Sequence, residues 1–176
     1  VAQQSNYKKS GFQAAYRNIR YRGLTDGQFP NNPELIELAN VPFAQIHLYD
    51  SACFPADRAT FLKLWLTQPD SVALGMIQEN RLVAYGLIRS CREGYKIAPL
   101  CADSPVLAET LWLGLNAAVE ANQPVFIDIG ENNPHALALV ERHNMKIVFE
   151  TSRMYTQYMP ALDFERIHGI TSFELG

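Results

Sequence analysis

Several side chains stand where they could do chemistry. Glu93, beside Gly94, carries a carboxylate that could help a water molecule deprotonate an amine, or that could simply solvate a turn. Asp128 lies near the end of an apolar run, Pro124 to Ile129, where an acid either holds a substrate ammonium or caps the helix starting at Asn133. Tyr85 and Tyr95 lie in strand-like runs, as proton donors or as core aromatics. His135 and His143 fall on a helix surface that suits solvent or packing roles, and Arg17, Arg20 and Arg22 form a basic cluster. That cluster fits an acidic ligand or an exposed strand face.

Whole-chain properties narrow the classes. The 176 residues are 48% hydrophobic, enough for one good core. A net charge of −3 provides no field for nucleic acid or an anionic membrane, so a small molecule or a protein is the expected partner. Cys53, Cys91 and Cys101 are odd in number and lack metal-ligand spacing. This excludes a disulfide framework and a structural zinc site, and points to the cytoplasm. No run approaches the roughly 18 apolar residues of a spanning helix. The start, Val1-Ala2-Gln3-Gln4, lacks both Met and the regions of a signal peptide, and reads as the interior of an element.

These side chains need a scaffold, which the sequence sketches. Tyr7 to Phe12 reads as a helix end closing on Gly11, followed by a strand in which Ala15, Arg17, Ile19 and Tyr21 alternate with Tyr16, Asn18, Arg20 and Arg22. Gly23 to Pro33 is rich in turn formers and reads as a linker, and Glu34 to Ala39 as a short helix after Asn32-Pro33. Phe43 to Tyr49 is expected as a strand and Asp57 to Gln68 as a helix with Phe61, Leu62, Trp65 and Leu66 on one face. Val72 to Gln78 and Leu82 to Ser90 flank the turn Glu79-Asn80-Arg81 as a hairpin, and Tyr95 to Cys101 extends it to a meander. Ser104-Pro105 starts a helix with Leu107, Leu111, Leu115 and Ala118 on one stripe. Asn133-Pro134 starts another, between strands at 124–129 and 146–155. The last stretch, Met159 to Gly176, has no clear period and is expected to be an extension packed elsewhere. A mixed sheet with helices on its faces follows, an α/β or α+β architecture.

This order of elements resembles that of the GNAT acyl-CoA N-acyltransferases. Cys91-Arg92-Glu93, the stretch Gly94-Tyr95-Lys96-Ile97-Ala98-Pro99-Leu100-Cys101-Ala102-Asp103 and the closing Gly169-Ile170-Thr171-Ser172-Phe173-Glu174-Leu175-Gly176 are similar to the C-terminal domain of bacterial tandem-GNAT proteins. Asn6 to Phe12 is similar to the "LYEKxGF" ending of a GNAT's last helix. The resemblance implies residues 1–24 as the tail of a preceding domain, 25–41 as linker and short helix, 42–157 as a GNAT-like domain and 158–176 as an extension. The implied fold is a mostly antiparallel mixed sheet with helices on both faces.

The implied activity is transfer of an acetyl group from acetyl-CoA to a small-molecule or peptide amine, by direct attack of the neutral amine on the thioester. In this family the cofactor lies where the fourth and fifth strands splay, here Tyr95 to Cys101 and Val125 to Ile129, and pairs with the fourth strand. By resemblance the cofactor-binding positions are Ala98, Pro99, Leu100, Cys101, Ala102, Asp103, Ser104 and Asn133, and Tyr95, Glu93 and Asp128 are the catalytic candidates. The sequence departs from the family at two places. The Gly-rich pyrophosphate loop is replaced by Cys101-Ala102-Asp103-Ser104-Pro105-Val106, which puts an acid near the phosphates and removes an N–H. Val140 stands where the family has a proton-donating Tyr, and Asn144-Met145 where it has Gly-Phe. A second reading is therefore a GNAT-like module that binds substrate, regulates or mediates oligomerisation beside an active domain. Strand 14–22 is the edge expected to pair with another chain.

Overall fold

The structure is a computed structural model that describes residues 3–27, 30 and 32–174. Val1, Ala2, Gln28, Phe29 and Asn31 of the start and linker, and Leu175-Gly176 of the closing motif, lie outside the described residues. Both predicted helix starts form as their residues dictate. Ser104 is extended, and its hydroxyl accepts from the Leu107 N–H at 3.3 Å to open α4 (Pro105–Ala117). Asn133 Oδ1 accepts from the His135 and Ala136 N–H groups at 2.9 and 3.2 Å to open α5 (Pro134–Arg142). Leu111, Leu115, Ala136 and Val140 on these helices are fully buried against one face of the sheet. Each Leu contributes ~1.5–3 kcal/mol by burial.

The sheet holds β1 (Gln13–Leu24), β2 (Leu35–Glu37), β3 (Ser71–Gln78), β4 (Arg81–Ser90), β5 (Tyr95–Ala102), β6 (Pro124–Gly130), β7 (Lys146–Tyr155) and β8 (Ile167–Gly169). Its order is β2-β3-β4-β5-β6-β1-β7, with β8 against β5, and only β5–β6 is parallel. The β3–β4 hairpin turns on Glu79 and Asn80, both at positive φ. A second core, with Leu38, Ile46, Tyr49, Leu62 and Tyr85, lies under α2 (Phe43–Cys53) and α3 (Ala59–Leu66). The short α1 (Gln4–Lys9) ends on Gly11 at φ +85°. No helix among the described residues is long and apolar enough to cross a membrane.

Four expectations change. Phe43 to Tyr49 is helix: Ile46, Tyr49, Asp50 and Cys53 are buried at helical spacing while Leu48 is exposed, and the Pro42 carbonyl accepts from Gln45 and Ile46. Glu34 to Ala39 splits into β2 and a 3-10 turn at Leu38–Asn40, because Leu35, Ile36 and Glu37 pair with Met76, Gly75 and Leu74 of β3, and the Asn32 contacts to the Glu34 and Leu35 N–H groups close a turn ahead of that strand. Residues 13–24 run inside the sheet, hydrogen-bonded to β6 on one side and β7 on the other. Strand 14–22 is thus an inner strand; β2 and β7 are the edges. The segment after Met159 returns to the sheet as β8.

Candidate active site

Parallel pairing of β5 with β6 covers only Tyr95↔Val125, Lys96↔Phe126 and Ile97↔Ile127. Beyond it, the segment 164–171 enters the gap. Leu100 and Cys101 of β5 pair with Gly169 and Ile167, and the Ile170 N–H donates to the Asp128 carbonyl of β6 at 2.8 Å. A Cβ at Gly169 would come within 2.9 Å of Ile127 Cδ1, so glycine lets this backbone sit close on β6. Side chains fix the segment from three directions. Asn133 Nδ2 faces the carbonyls of Phe164, Glu165 and Ile167 at 3.0, 3.2 and 3.0 Å. Arg58 Nη1 donates to Thr171 Oγ1 at 2.9 Å, and Arg166 Nε meets Asp103 Oδ1 at 3.3 Å.

Asp50, fully buried on α2, accepts from Arg58 Nε and Nη2 at 2.8 and 2.6 Å and from the Tyr85 hydroxyl. Arg58 lies 3.9 Å over the Phe54 ring. This network fastens the α2–α3 connection to the sheet and to Thr171. Beside it opens a cleft whose enclosed space is about 40 Å³ and which is otherwise open to solvent, walled by the α2–α3 connection, by Tyr16, Arg153 and Tyr155 on β1 and β7, and by residues 160–171. Burial and the Tyr155 hydroxyl push the Tyr16 phenol far above its usual value, so it stays protonated. His168 in β8 is buried, and neither ring nitrogen reaches a partner at full hydrogen-bond geometry. Burial, reinforced by His135, lowers its pKa to about 4 against a weaker opposing contact with the Ala102 backbone.

The sequence-derived candidates separate. Of them, Pro99 and Cys101 line the cleft. Ala98 is buried, its carbonyl accepting from Trp65 Nε1 at 2.9 Å, and Ala102 pairs with Ala84. Asp103 accepts from the Tyr49 hydroxyl at 2.7 Å and meets Arg166. Glu93 is exposed and pairs with Arg22 at 3.7 Å, a surface contact. Tyr95 is half-buried against the core. Asp128 neither caps α5 nor lines the cleft. Its fully buried carboxylate is matched by Arg20 at 2.6 and 2.8 Å and by Lys96 Nζ at 2.5 Å, with Phe173 against both cations. Burial lowers the Lys96 pKa and Asp128 opposes the shift. His143 hydrogen-bonds Glu109 at 2.8 Å and packs on Trp112.

The profile of the acetyltransferase (GNAT) domain matches residues 46–169. The chain belongs to the GNAT acetyltransferase family. Holothin acyltransferase from Pseudoalteromonas sp. (strain SANK 73390) is 25% identical over 99% of this chain and 59% of its own length. A candidate acetyltransferase from Pyrococcus horikoshii superposes over the whole chain and 57% of its own, with 26% identity and a TM-score of 0.80. A GCN5-related N-acetyltransferase from Anabaena variabilis shares the fold at a TM-score of 0.57 and 18% identity, over 88% of this chain and 43% of that one. The chain thus spans just under three fifths of the holothin acyltransferase and P. horikoshii proteins.

GNAT enzymes generally use acyl-CoA, and the residues at this GNAT domain's groove do not fit it. The β5 backbone that would pair with pantetheine is paired with β8, and the Asn133 amide is turned to the chain's own carbonyls. At the start of α4 the Asp103 N–H is bound to the Val83 carbonyl, Pro105 has none, and the Leu107 N–H is bound to Ser104. Val140 is fully buried and offers no proton.

Asp50, Arg58, Arg153, Arg166 and His168 were not singled out from the sequence. An acid and an arginine eight residues apart, flanking a Pro, were a readable signal for the first two. Arg166 and His168 had none, since their segment has no period of its own.

Proposed function

We propose that the protein is an acyl-CoA-dependent N-acyltransferase that acetylates a small-molecule or peptide amine in the cytoplasm, and that this domain binds the amine while acyl-CoA is carried outside the β5–β8 groove. The observation that carries this reading is the solvent-open cleft lined by Phe54, Phe164, Tyr16, Tyr155 and Arg153 beside the divergence of β5 and β6. GNAT membership and the name of the Pseudoalteromonas relative support acyl transfer, and three unbridged cysteines suit a reducing compartment. In the cleft, Arg58 holds the wall rigid through Asp50 and Thr171, while Phe54, Phe164 and the paired tyrosines exclude water around an acceptor. Holding the amine in one orientation is the domain's contribution to rate.

The test is thiol release from acetyl-CoA in the presence of a panel of amines. Release that depends on both amine and protein supports the reading. Absence of release with every amine, using protein as long as the matched relatives, defeats it. Titration of this chain with acetyl-CoA separates the domain's role: micromolar binding would return the cofactor to this groove, and no heat up to millimolar ligand leaves the domain as the acceptor-binding module.

A further inference from the structure

The cleft has a charge pattern that narrows what it accepts. Its lining is largely apolar and aromatic, with Phe54, Pro55, Leu162, Tyr155, and Phe164 edge-on to Tyr16 at 5.6 Å. No acid, lysine or histidine is among its described lining residues. It holds two arginines in different states. Arg58 is neutralised by the buried Asp50. Arg153 donates from Nε to the Tyr155 hydroxyl at 3.3 Å and lies 5.4 Å from that ring, and no described residue supplies it with a carboxylate partner. Its terminal nitrogens remain able to form a forked contact with a planar anion.

This pattern is wrong for a cation. An ammonium would lie beside a guanidinium with no acid to offset the repulsion. It is right for a molecule with an apolar body and one carboxylate, which would neutralise Arg153 as Asp50 neutralises Arg58. We propose that the cleft binds small apolar or aromatic amines bearing a carboxylate, with the carboxylate on Arg153 and the body against Phe54, Pro55 and Phe164. Identifying the ligand as acyl acceptor rests on the function proposed above; the carboxylate site does not.

Three matched probes test it by calorimetric titration of this chain: 3-phenylpropionate, its neutral amide, and 3-phenylpropylamine. The carboxylate is expected to bind about tenfold or more tighter than the amide, as one charge-assisted contact allows, and the amine to bind weakest. Arg153→Gln should abolish the preference for carboxylate over amide, and Arg153→Lys should restore part of it. Arg153 is half-exposed with no ion-pair partner among the described residues, so both variants should melt like the parent. Equal binding of acid and amide, preference for the amine, an unchanged Arg153→Gln, or no binding of any probe at millimolar concentration overturns the proposal. Failure of acetyl transfer with every amine, while 3-phenylpropionate still binds through Arg153, would sink the acceptor reading and leave the site standing.

Discussion

His168 makes the docking of β8 sensitive to acid in a way that can be calculated. Its pKa is about 4 in the folded protein against an ordinary 6.5. Between those values the unfolded chain binds a proton that the folded chain does not, so stability rises with pH across that window and is lost as pH falls through it. At about 1.4 kcal/mol per pH unit, the loss is ~2 kcal/mol near pH 5 and ~3 kcal/mol once both states are protonated. The contribution is complete above the unfolded value. Urea unfolding of the parent and of His168→Gln from neutral pH to about pH 4.5 measures it: the difference between the two stability curves should change by ~2–3 kcal/mol. Asp57, Glu131 and Glu174, whose pKa values are lowered by hydrogen bonds, also add acid sensitivity. They act alike in both proteins and cancel in the difference. Parallel curves, or an NMR titration of His168 near its ordinary value, would refute the reasoning. Because Leu100 and Cys101 pair with the strand that carries His168, hydrogen-exchange protection of this pairing should fall first on acidification, after correction for intrinsic rates.

Other outcomes follow from the buried charges and thiols. Asp128→Asn leaves Lys96 and Arg20 without their counter-charge and should cost about 3–5 kcal/mol in urea unfolding, whereas the double change Asp128→Leu with Lys96→Met should recover part of it. Cys91 is half-exposed, while Cys53 and Cys101 are buried and contact between them, together with burial, pushes the Cys101 thiol well up. One thiol should therefore react with a maleimide in the native protein, and the remaining two only on unfolding; rapid native labelling at Cys101 would contradict its packing.

The elements with strong local signals were legible from sequence. Ser104-Pro105 and Asn133-Pro134 carry cap and φ preference in adjacent residues, and the turn at Glu79-Asn80 needs only neighbours to form. Phe43 to Tyr49 was misread because its aromatic and apolar residues suit a strand, and the packing of Ile46, Tyr49 and Asp50 under the sheet decides against that preference. Asn32-Pro33 shows the same cap chemistry spent on a turn. Asp128 read as a holder of a substrate ammonium or as a helix cap because nothing in its own strand reveals Arg20, 108 positions away. The β8 segment is too short for any period, and its position is set by Asn133, Arg58 and β5.

The inner position of β1 bears on how the protein comes into being. Arg17 meets Glu131 across 114 positions of chain, and β6 and β7 touch each other only through β1. During synthesis β1 must therefore wait without these partners until β6 and β7 have emerged, and such distant pairing makes for slow folding. Trimming to a start at Pro42 would delete not an appendage but the spacer between two strands, leaving each with an open row of N–H and C=O groups. Expressed that way, the remainder should aggregate rather than fold.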